Sequence, residues 1–598
     1  MARKEVAALT DQTSRLHGSQ LMLVFFGLQL ALFLSFLDST SVSTAAPEIG
    51  RDLNSSSSIT WVGSAFLLAN TSFQIVTSRL SDIFGRKAVL LGSLFLFVLG
   101  DLLCGFAKTG IWLYTCRGIA GIGGGGINSL SMIIVSDVVS VRERGKYQGL
   151  LGIAIALGSA CGPFLGAAFA QYVTWRWTFW ITPPLGVVTI LIIWFLLPLK
   201  HVGGDFKTKL RQMDWLGTVL ALAMTICFLV PLAGGGSTFR WDSPVVIALF
   251  VVSGVVAGLF WFVQGWLAPL PLLPGRIFKN RNIALLLGQT FLVGIAYFGN
   301  IYQIPLYLQN VQGKSEITSA AMLLPLVLTQ TFTTTLTGYI NKWTNHTRSS
   351  FAVGFFLWTA GVCAQLSFGT KTSTGVVVGV LLLQGLGIGA TLQSTLVLLQ
   401  ISGPSEDRAV VTGARNFARS LGGAVGLAVA NTLLNNIFIK NLPSDLPAAL
   451  RDQLQSEFVV PASVSGEVKE QILDAYMKGM RDVFIFYVPV VAICFLLCFL
   501  VKDLPLESPT PATPAPPSPS TEKDDEEKAL SASDLTLARP VTIVRESSGA
   551  DEIEAEGSLA SSSAASTPTV FGEQPTLLRG AGEEGDGKVV VGGKSSKA

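Results

Sequence analysis

Charge is scarce in this chain of 598 residues. Only 14% are Asp, Glu, Lys or Arg, against about 25% in soluble domains. That shortage excludes an ordinary water-soluble globule. The net charge of +3 is too small to argue for a nucleic-acid partner. Histidine is scarcer still: His17, His201 and His346 all stand in polar stretches, so none can carry protons inside a membrane. The seven cysteines are scattered through apolar runs, with neither a disulfide framework nor zinc spacing, so no metal site is expected. The Gly-rich run Gly121–Gly126 lacks the Gly-Lys-Ser/Thr ending of a phosphate-binding loop, which speaks against an ATP-driven pump. Nothing suggests an enzyme.

What fills the chain instead is apolar. Half of the residues are hydrophobic and the mean hydropathy is +0.53. Gly 61 and Phe 36 suit helices packed in lipid, where small residues allow contact and aromatics fill gaps. Apolar runs of about 20 residues predict about fourteen spans, the first over 21–46 and the last over 482–501. The expected fold class is an all-α polytopic membrane protein. Lys and Arg gather in alternate connections (Arg79, Arg86, Lys87; Arg142, Arg144, Lys146; Lys200, Lys207, Lys209, Arg211), whereas the short connections between them hold one each. By the positive-inside rule both termini are expected in the cytosol. The Pro/Ser/Glu-rich remainder, 502–598, cannot bury a core and reads as a disordered cytosolic tail. The outer loop 439–481 contains an amphipathic pattern, Val468, Ile472, Leu473 and Tyr476, suited to a helix lying on the outer face. Asn54-Ser55-Ser56 is a glycosylation sequon on the predicted outer side.

Polar groups inside the spans carry the functional argument, because an ionisable side chain in a bilayer is costly. Asp38 lies eight residues from the outer end of the first predicted span, about 12 Å deep. Arg117 lies six residues into the fourth, about 9 Å from the same surface. Their similar depth makes contact expected if the two helices are neighbours; for such a pair, a static buried ion pair that fixes helix packing is the plainer alternative to a proton-coupling role. Asp101, the other carboxylate inside a span, is placed nearer the outer surface, where an interfacial or structural role stands beside proton relay as the reading. The run Leu150–Ala168 carries Gly158, Gly162, Pro163 and Gly166. Gly158 and Gly162 share a helix face, so a neighbouring backbone can come close.

Five motifs together resemble one family. The run through Gly158, Gly162, Pro163 and Gly166 resembles the GxxxGPxxGG signature of proton-coupled exporters of the major facilitator superfamily, with Ala167 in place of the last glycine. SRLSDIFGRK, with Asp82, Gly85, Arg86 and Lys87, resembles its GxLaDrxGRK loop, although Ser78 stands where the pattern begins with glycine. FLDSTSVSTAAPEI and CRGIAGIGGGG resemble its first- and fourth-helix motifs, the first with Ser43 for asparagine and the second with Ala120 for glutamine. YQIPLYLQNVQGKS resembles a stretch of fungal members. The resemblance implies the fourteen-helix drug:proton antiporter branch, closest in pattern to fungal toxin and multidrug exporters. It implies two six-helix bundles, 21–199 and 283–501, around a two-helix insertion, 200–282, after a cytosolic tail, 1–20.

The expected function is proton-coupled efflux of a hydrophobic small molecule, such as a toxin or drug, from the plasma membrane. The expected partners are the lipid bilayer, this substrate and protons; no cofactor beyond the proton gradient is expected, and the chain is expected to be monomeric. Asp38 is the expected proton carrier, and the resemblance gives Arg117 a coupling role as well. It also implies that Asp82, Gly85 and Arg86 support the closed side during alternating access, with Gly158, Gly162, Pro163 and Gly166 as rocking contacts. Polar and aromatic candidates for the substrate site at the midplane are Asn70, Gln74, Asn128, Gln289, Tyr297, Gln330 and Gln393. Arg415 and Arg419 are expected to snorkel to the interface; attraction of an anionic substrate is the other reading. The alternative function is proton-coupled transport of a nutrient or metal complex, such as a siderophore or basic amino acid, with the vacuolar membrane as alternative site.

Overall fold

The computed structural model describes residues 16, 18–55, 58–198, 206–235, 239–443, 446–447, 450 and 466–506. The predicted tail beyond 506, and residues 444–445, 448–449 and 451–465 of the predicted loop 439–481, lie outside the described residues. Helix accounts for nearly all that is described, as lipid requires: a spanning segment must satisfy its own backbone groups. Six long helices form the first bundle: α1 Gly18–Asp52, α2 Trp61–Phe84, α3 Arg86–Gly105, α4 Gly110–Val138, α5 Val141–Tyr172 and α6 Thr182–Leu196. Then come α7 Trp215–Gly234 and α8 Pro244–Phe262. The second bundle holds α9 Arg281–Leu306, α10 Glu316–Thr344, α11 Arg348–Gln365, α12 Thr374–Ile401, α13 Arg408–Asn441 and α14 Glu467–Cys498.

Twelve of these rods are long and apolar enough to cross a membrane. The exceptions are α2 and α11. Helix α2 carries Asn70, Gln74, Arg79 and Asp82, all buried, and these lower its hydropathy because they face protein and not lipid. Helix α11 begins on a charged end at Arg348 and closes on Gln365. Both pack within the bundles, α2 on α4 and α11 on α12, and at about 1.5 Å per residue their lengths, roughly 36 and 27 Å, match the other rods.

Pro183 and Pro184 occupy the first turn of α6, where a missing N–H costs nothing. One detail differs from the sequence reading. The amphipathic pattern at Val468–Tyr476 is no separate surface helix. It forms the opening turns of α14, with Ile472 and Tyr476 buried. Their stripe continues through Met480, Phe484 and Tyr487, so the helix starts well before the predicted 482.

Packing explains the glycines. Helix α4 lies against α2 and α3. A Cβ at Gly121, Gly123 or Gly125 would strike the backbone of Phe66, Ser93 or Asn70 respectively. Across the bundle, α5 lies on α1: Gly158 meets the backbone of Phe33 and Leu37, Gly162 that of Leu37 and Ser41, and Gly166 that of Ser41. Thr44 Oγ1 donates to the Pro163 carbonyl at 3.0 Å. The glycine face thus clamps α1 on both sides of Asp38. Between bundles, α5 packs on α10 and α2 on α13, while α7 lies over α2 and α13.

Candidate transport site

Gly85 joins α2 to α3 at φ 99° and ψ 144°, a conformation open only to glycine. The sharp turn sets Asp82 and Arg86 side by side. Arg86 Nη1 donates to Asp82 Oδ1 at 2.6 Å and Arg86 Nε to Asp137 Oδ2, on α4, at 3.0 Å. Arg79 reaches Asp82 at 3.3 Å. The cluster then crosses to the other bundle: Arg408, at the start of α13, donates to Asp137 Oδ1 at 3.2 Å. Further links sit at this same end. Lys342 pairs with Glu143 at 3.3 Å, Ser136 Oγ donates to Gln400 at 3.0 Å, and Gly145 meets Gly338 backbone to backbone. Ser78, the departure from the loop pattern, is accommodated by Gly413 of α13, whose missing Cβ would strike the Ser78 hydroxyl. Outside the spans, Arg276 is held by Asp407 at 2.8 Å, and this bond pushes the guanidinium's pKa up. The two bundles are closed against each other at the Gly85 end.

Toward the opposite end lies the pair expected from depth. Arg117 Nη1 donates to both oxygens of Asp38, at 2.8 and 2.7 Å, and Arg117 Nε donates to the Val62 carbonyl at 3.2 Å. The Phe66 ring lies 4.4 Å from the guanidinium carbon. Asp38, Arg117 and Asp101 are all fully buried. Of the readings of Asp101, the interfacial one does not hold. Asp101 lies inside the bundle, with Oδ1 3.6 Å from Arg117 Nη1, and neither of its oxygens accepts a hydrogen bond. The bulky turn at Trp177–Trp180 covers this end of the bundle, where Gly105 abuts the Trp180 indole. Two carboxylates therefore share one guanidinium away from water, and the set is electrically neutral only when one of them holds a proton. Ala120, standing where the pattern has glutamine, lies against Gly100, whose added Cβ would come within 2.7 Å of the Ala120 Cα. The close approach leaves no room for a side chain at position 100.

Several candidate substrate residues meet between the bundles. Gln74 Nε2 donates to Asn70 Oδ1 at 2.9 Å and reaches Ser420 of α13 at 3.5 Å. Gln330 Nε2 reaches the Tyr297 hydroxyl at 3.4 Å. Gln393 is buried with its Nε2 unpartnered, and the Asn128 Oδ1 is likewise buried and unpartnered. Gln289 is not brought to this group: its Nε2 donates to the Cys494 carbonyl at 2.6 Å, tying α9 to α14. Arg415 and Arg419 do not snorkel. Arg415 is 3% exposed; it donates to the Leu392 carbonyl at 2.9 Å and Asn416 Oδ1 at 3.1 Å, and it touches Met132 Sδ across the interface. Arg419 is half-buried and stands over Phe298, 6.0 Å from the ring centre. Asn54, the sequon residue, is exposed with φ 49°. Among the described residues no cluster of His, Cys, Asp and Glu could hold a metal.

Comparison with known proteins places this architecture. The family model of the Major Facilitator Superfamily matches residues 28–427. The chain belongs to the major facilitator superfamily. It is 40% identical to "Citrate exporter 1" of Yarrowia lipolytica over 85% of this chain and 76% of that protein. It is 35% identical to "MFS-type transporter clz4" of Cochliobolus lunatus over 84% and 89%, and 34% identical to "MFS-type efflux pump LUC4" of a Fusarium species over 82% and 89%. The superfamily fold recurs in the solved proton:xylose symporter XylE, with a TM-score of 0.54 at 12% identity over 82% of this chain and 98% of that one. As a member of this superfamily, the chain is a multi-pass membrane transporter and not an enzyme.

Proposed function

We propose that this superfamily member is a proton-coupled exporter of small organic molecules at the plasma membrane, working as a monomer. The Gly85 end faces the cytosol, as do both termini, and Asn54 lies outside. The observation that carries the coupling is the charge balance at Arg117. One proton, taken by Asp38 or Asp101 from the outer side, neutralises two carboxylates and one guanidinium, and its release to the cytosol restores a net negative charge. An uncompensated charge in a dry site costs several kcal/mol, enough to bias the packing of α1, α3 and α4 with each protonation. Helix α1 passes the bias to α5 through the clamp at Gly158, Gly162, Pro163 and Gly166, and α5 bears on α10. The closed end held by Asp137, Arg86 and Arg408 is the cytosolic seal of the outward-facing state.

Cargo sits between the bundles, among Asn70, Gln74, Asn128, Tyr297, Gln330 and Gln393, with Phe298 beside them. This lining fits hydrophobic substrates of the toxin or drug type, as the relative named an efflux pump supports. Uptake of a basic amino acid is the weaker reading, because the cations Arg415 and Arg419 stand beside this group. The test is energised efflux from cells expressing the chain, using Nile red, carboxyfluorescein, radiolabelled citrate and a small toxin panel, with and without a protonophore. Export that collapses with the protonophore supports the reading. Export that persists without a proton gradient overturns it.

A further inference from the structure

Two guanidiniums one helical turn apart, about 6 Å along α13, are an expensive feature at a bundle interface. Like charges at this spacing repel, and a buried cation without an anion keeps most of its desolvation cost. Neither Arg415 nor Arg419 forms an ion pair with a carboxylate among the described residues. The Nε of each is buried without a hydrogen-bond partner. What Arg415 does touch is neutral: a carbonyl, an amide oxygen and a thioether. Arg79, Arg86, Arg117 and Arg408 each reach an aspartate. The contrast is one of position. Those arginines sit at the seal or at the proton site, whereas Arg415 and Arg419 stand where Met132, Ser420 and Phe298 mark the seam between bundles. Nearby donors are neutral amides and hydroxyls, which can bind an anion without neutralising the arginines first.

We propose that Arg415 and Arg419 are the anion-binding part of the cargo site, and that the cargo is an organic acid presenting at least one carboxylate. This rests on the exporter reading above and narrows its substrate class. A carboxylate accepts two parallel bonds from a guanidinium fork, and two forks one turn apart suit a molecule with two carboxylates, or one carboxylate with a polar neighbour. The apolar side of such a molecule lies toward Phe298, and Gln74 and Gln330 are placed to bond its hydroxyl or carbonyl groups. The similarity to a protein named a citrate exporter agrees with this chemistry. When the cargo leaves, the two cations are again unpaired. That disfavours keeping the empty site sealed from anions and helps return it to the cytosolic supply.

The test is equilibrium binding to the purified full chain in phosphatidylcholine nanodiscs, so that no anionic lipid supplies the counter-charge. The probes are citrate, succinate and carboxyfluorescein, with triethyl citrate as the uncharged control. The expected result is that at least one carboxylate binds and raises the thermal midpoint while triethyl citrate does neither. Arg415→Gln and Arg419→Gln should each weaken binding by about 10- to 100-fold, the worth of hydrogen bonds to a charged group, and Arg419→Lys should recover part of the loss. Arg415→Gln should also leave the unliganded protein at least as heat-stable as wild type, since it removes an unpaired buried charge; this separates lost binding from lost folding. No binding by any of the three carboxylates, equal binding of triethyl citrate, or wild-type affinity in both glutamine variants overturns the proposal. Binding needs no proton gradient, so the two readings fail separately. Carboxylate binding without gradient-driven export sinks the exporter reading alone. Gradient-driven Nile red export that no carboxylate binds to or competes with sinks this one alone.

Discussion

Replacing Arg408 by glutamine removes the ion pair that joins the two bundles at Asp137 and leaves Asp137 its bond from Arg86. The pair is 3.2 Å long, with side chains 12% and 4% exposed. At an effective dielectric constant of about 20, two unit charges at that distance attract by about 5 kcal/mol. Most of this is returned when the opened ends regain water, and hydrogen bonds to charged groups are worth about 1.5–3 kcal/mol net. That is a shift of about 10- to 150-fold in the ratio of closed to open at this end. A closed population of about 99:1 would fall to about 9:1 or below. The assay is a distance distribution between genetically encoded spin labels at the exposed positions Ala88, on α3, and Ser349, on α11. These leave the native cysteines in place. Arg408→Gln should add a long-distance component at the expense of the short one, and Asp137→Asn should do so more strongly because Arg86 is released too. A distribution unchanged in both variants would refute the seal as the account describes it.

Three further outcomes follow from the packing. Gly85→Ala places a Cβ on a residue at φ 99°, which should cost about 1–3 kcal/mol; an unchanged thermal midpoint in detergent would contradict this. Gly162→Ala puts a Cβ 2.8 Å from the Leu37 carbonyl, overpacking α1 against α5 by about 1–3 kcal/mol. Export per molecule at the cell surface should drop, while Gly152→Ala, which meets nothing within 4 Å, should leave it intact. Asn54→Gln should abolish an endoglycosidase-sensitive mobility shift of the expressed protein, and a shift that survives would place the glycan elsewhere or the sequon inside.

Much of this architecture was legible because it is written in helix-length runs and in glycine spacing. The contact of Asp38 with Arg117 followed from depth together with the helix neighbours that the family resemblance implies, since both ends of their helices could be estimated from nearby polar residues. Asp101 did not follow. Counted along its own helix it is four residues from the end at Gly105, and only the aromatic turn at Trp177–Trp180, folding back from the far side of α5, takes it away from water. The WRWTFW run in the sequence was the available signal. Arg415 and Arg419 were misplaced for a related reason: hydropathy gives depth but not which face of a helix meets lipid and which meets protein, so snorkelling and burial read alike. The start of α14 was obscured by Glu467, Lys469 and Glu470, which look like a loop until the stripe from Ile472 to Tyr487 is followed as one helix. Among the substrate candidates, Gln289 resembled Gln330 and Gln393 as an amide in an apolar span; only the position of α14 reveals that it serves packing.

The central claim is that transport moves a proton through the carboxylates facing Arg117. The measurement that tests it most directly is substrate-triggered proton movement in proteoliposomes carrying a trapped pH dye, with wild type, Asp38→Asn and Asp101→Asn compared, using whichever probe cells export. The account predicts that the probe drives proton movement in wild type and none in Asp38→Asn, although that variant still binds the probe. Asp101→Asn, which fixes one member of the pair as neutral, should shift the pH dependence of this movement. Substrate-driven proton movement at the wild-type rate in Asp38→Asn would contradict the account.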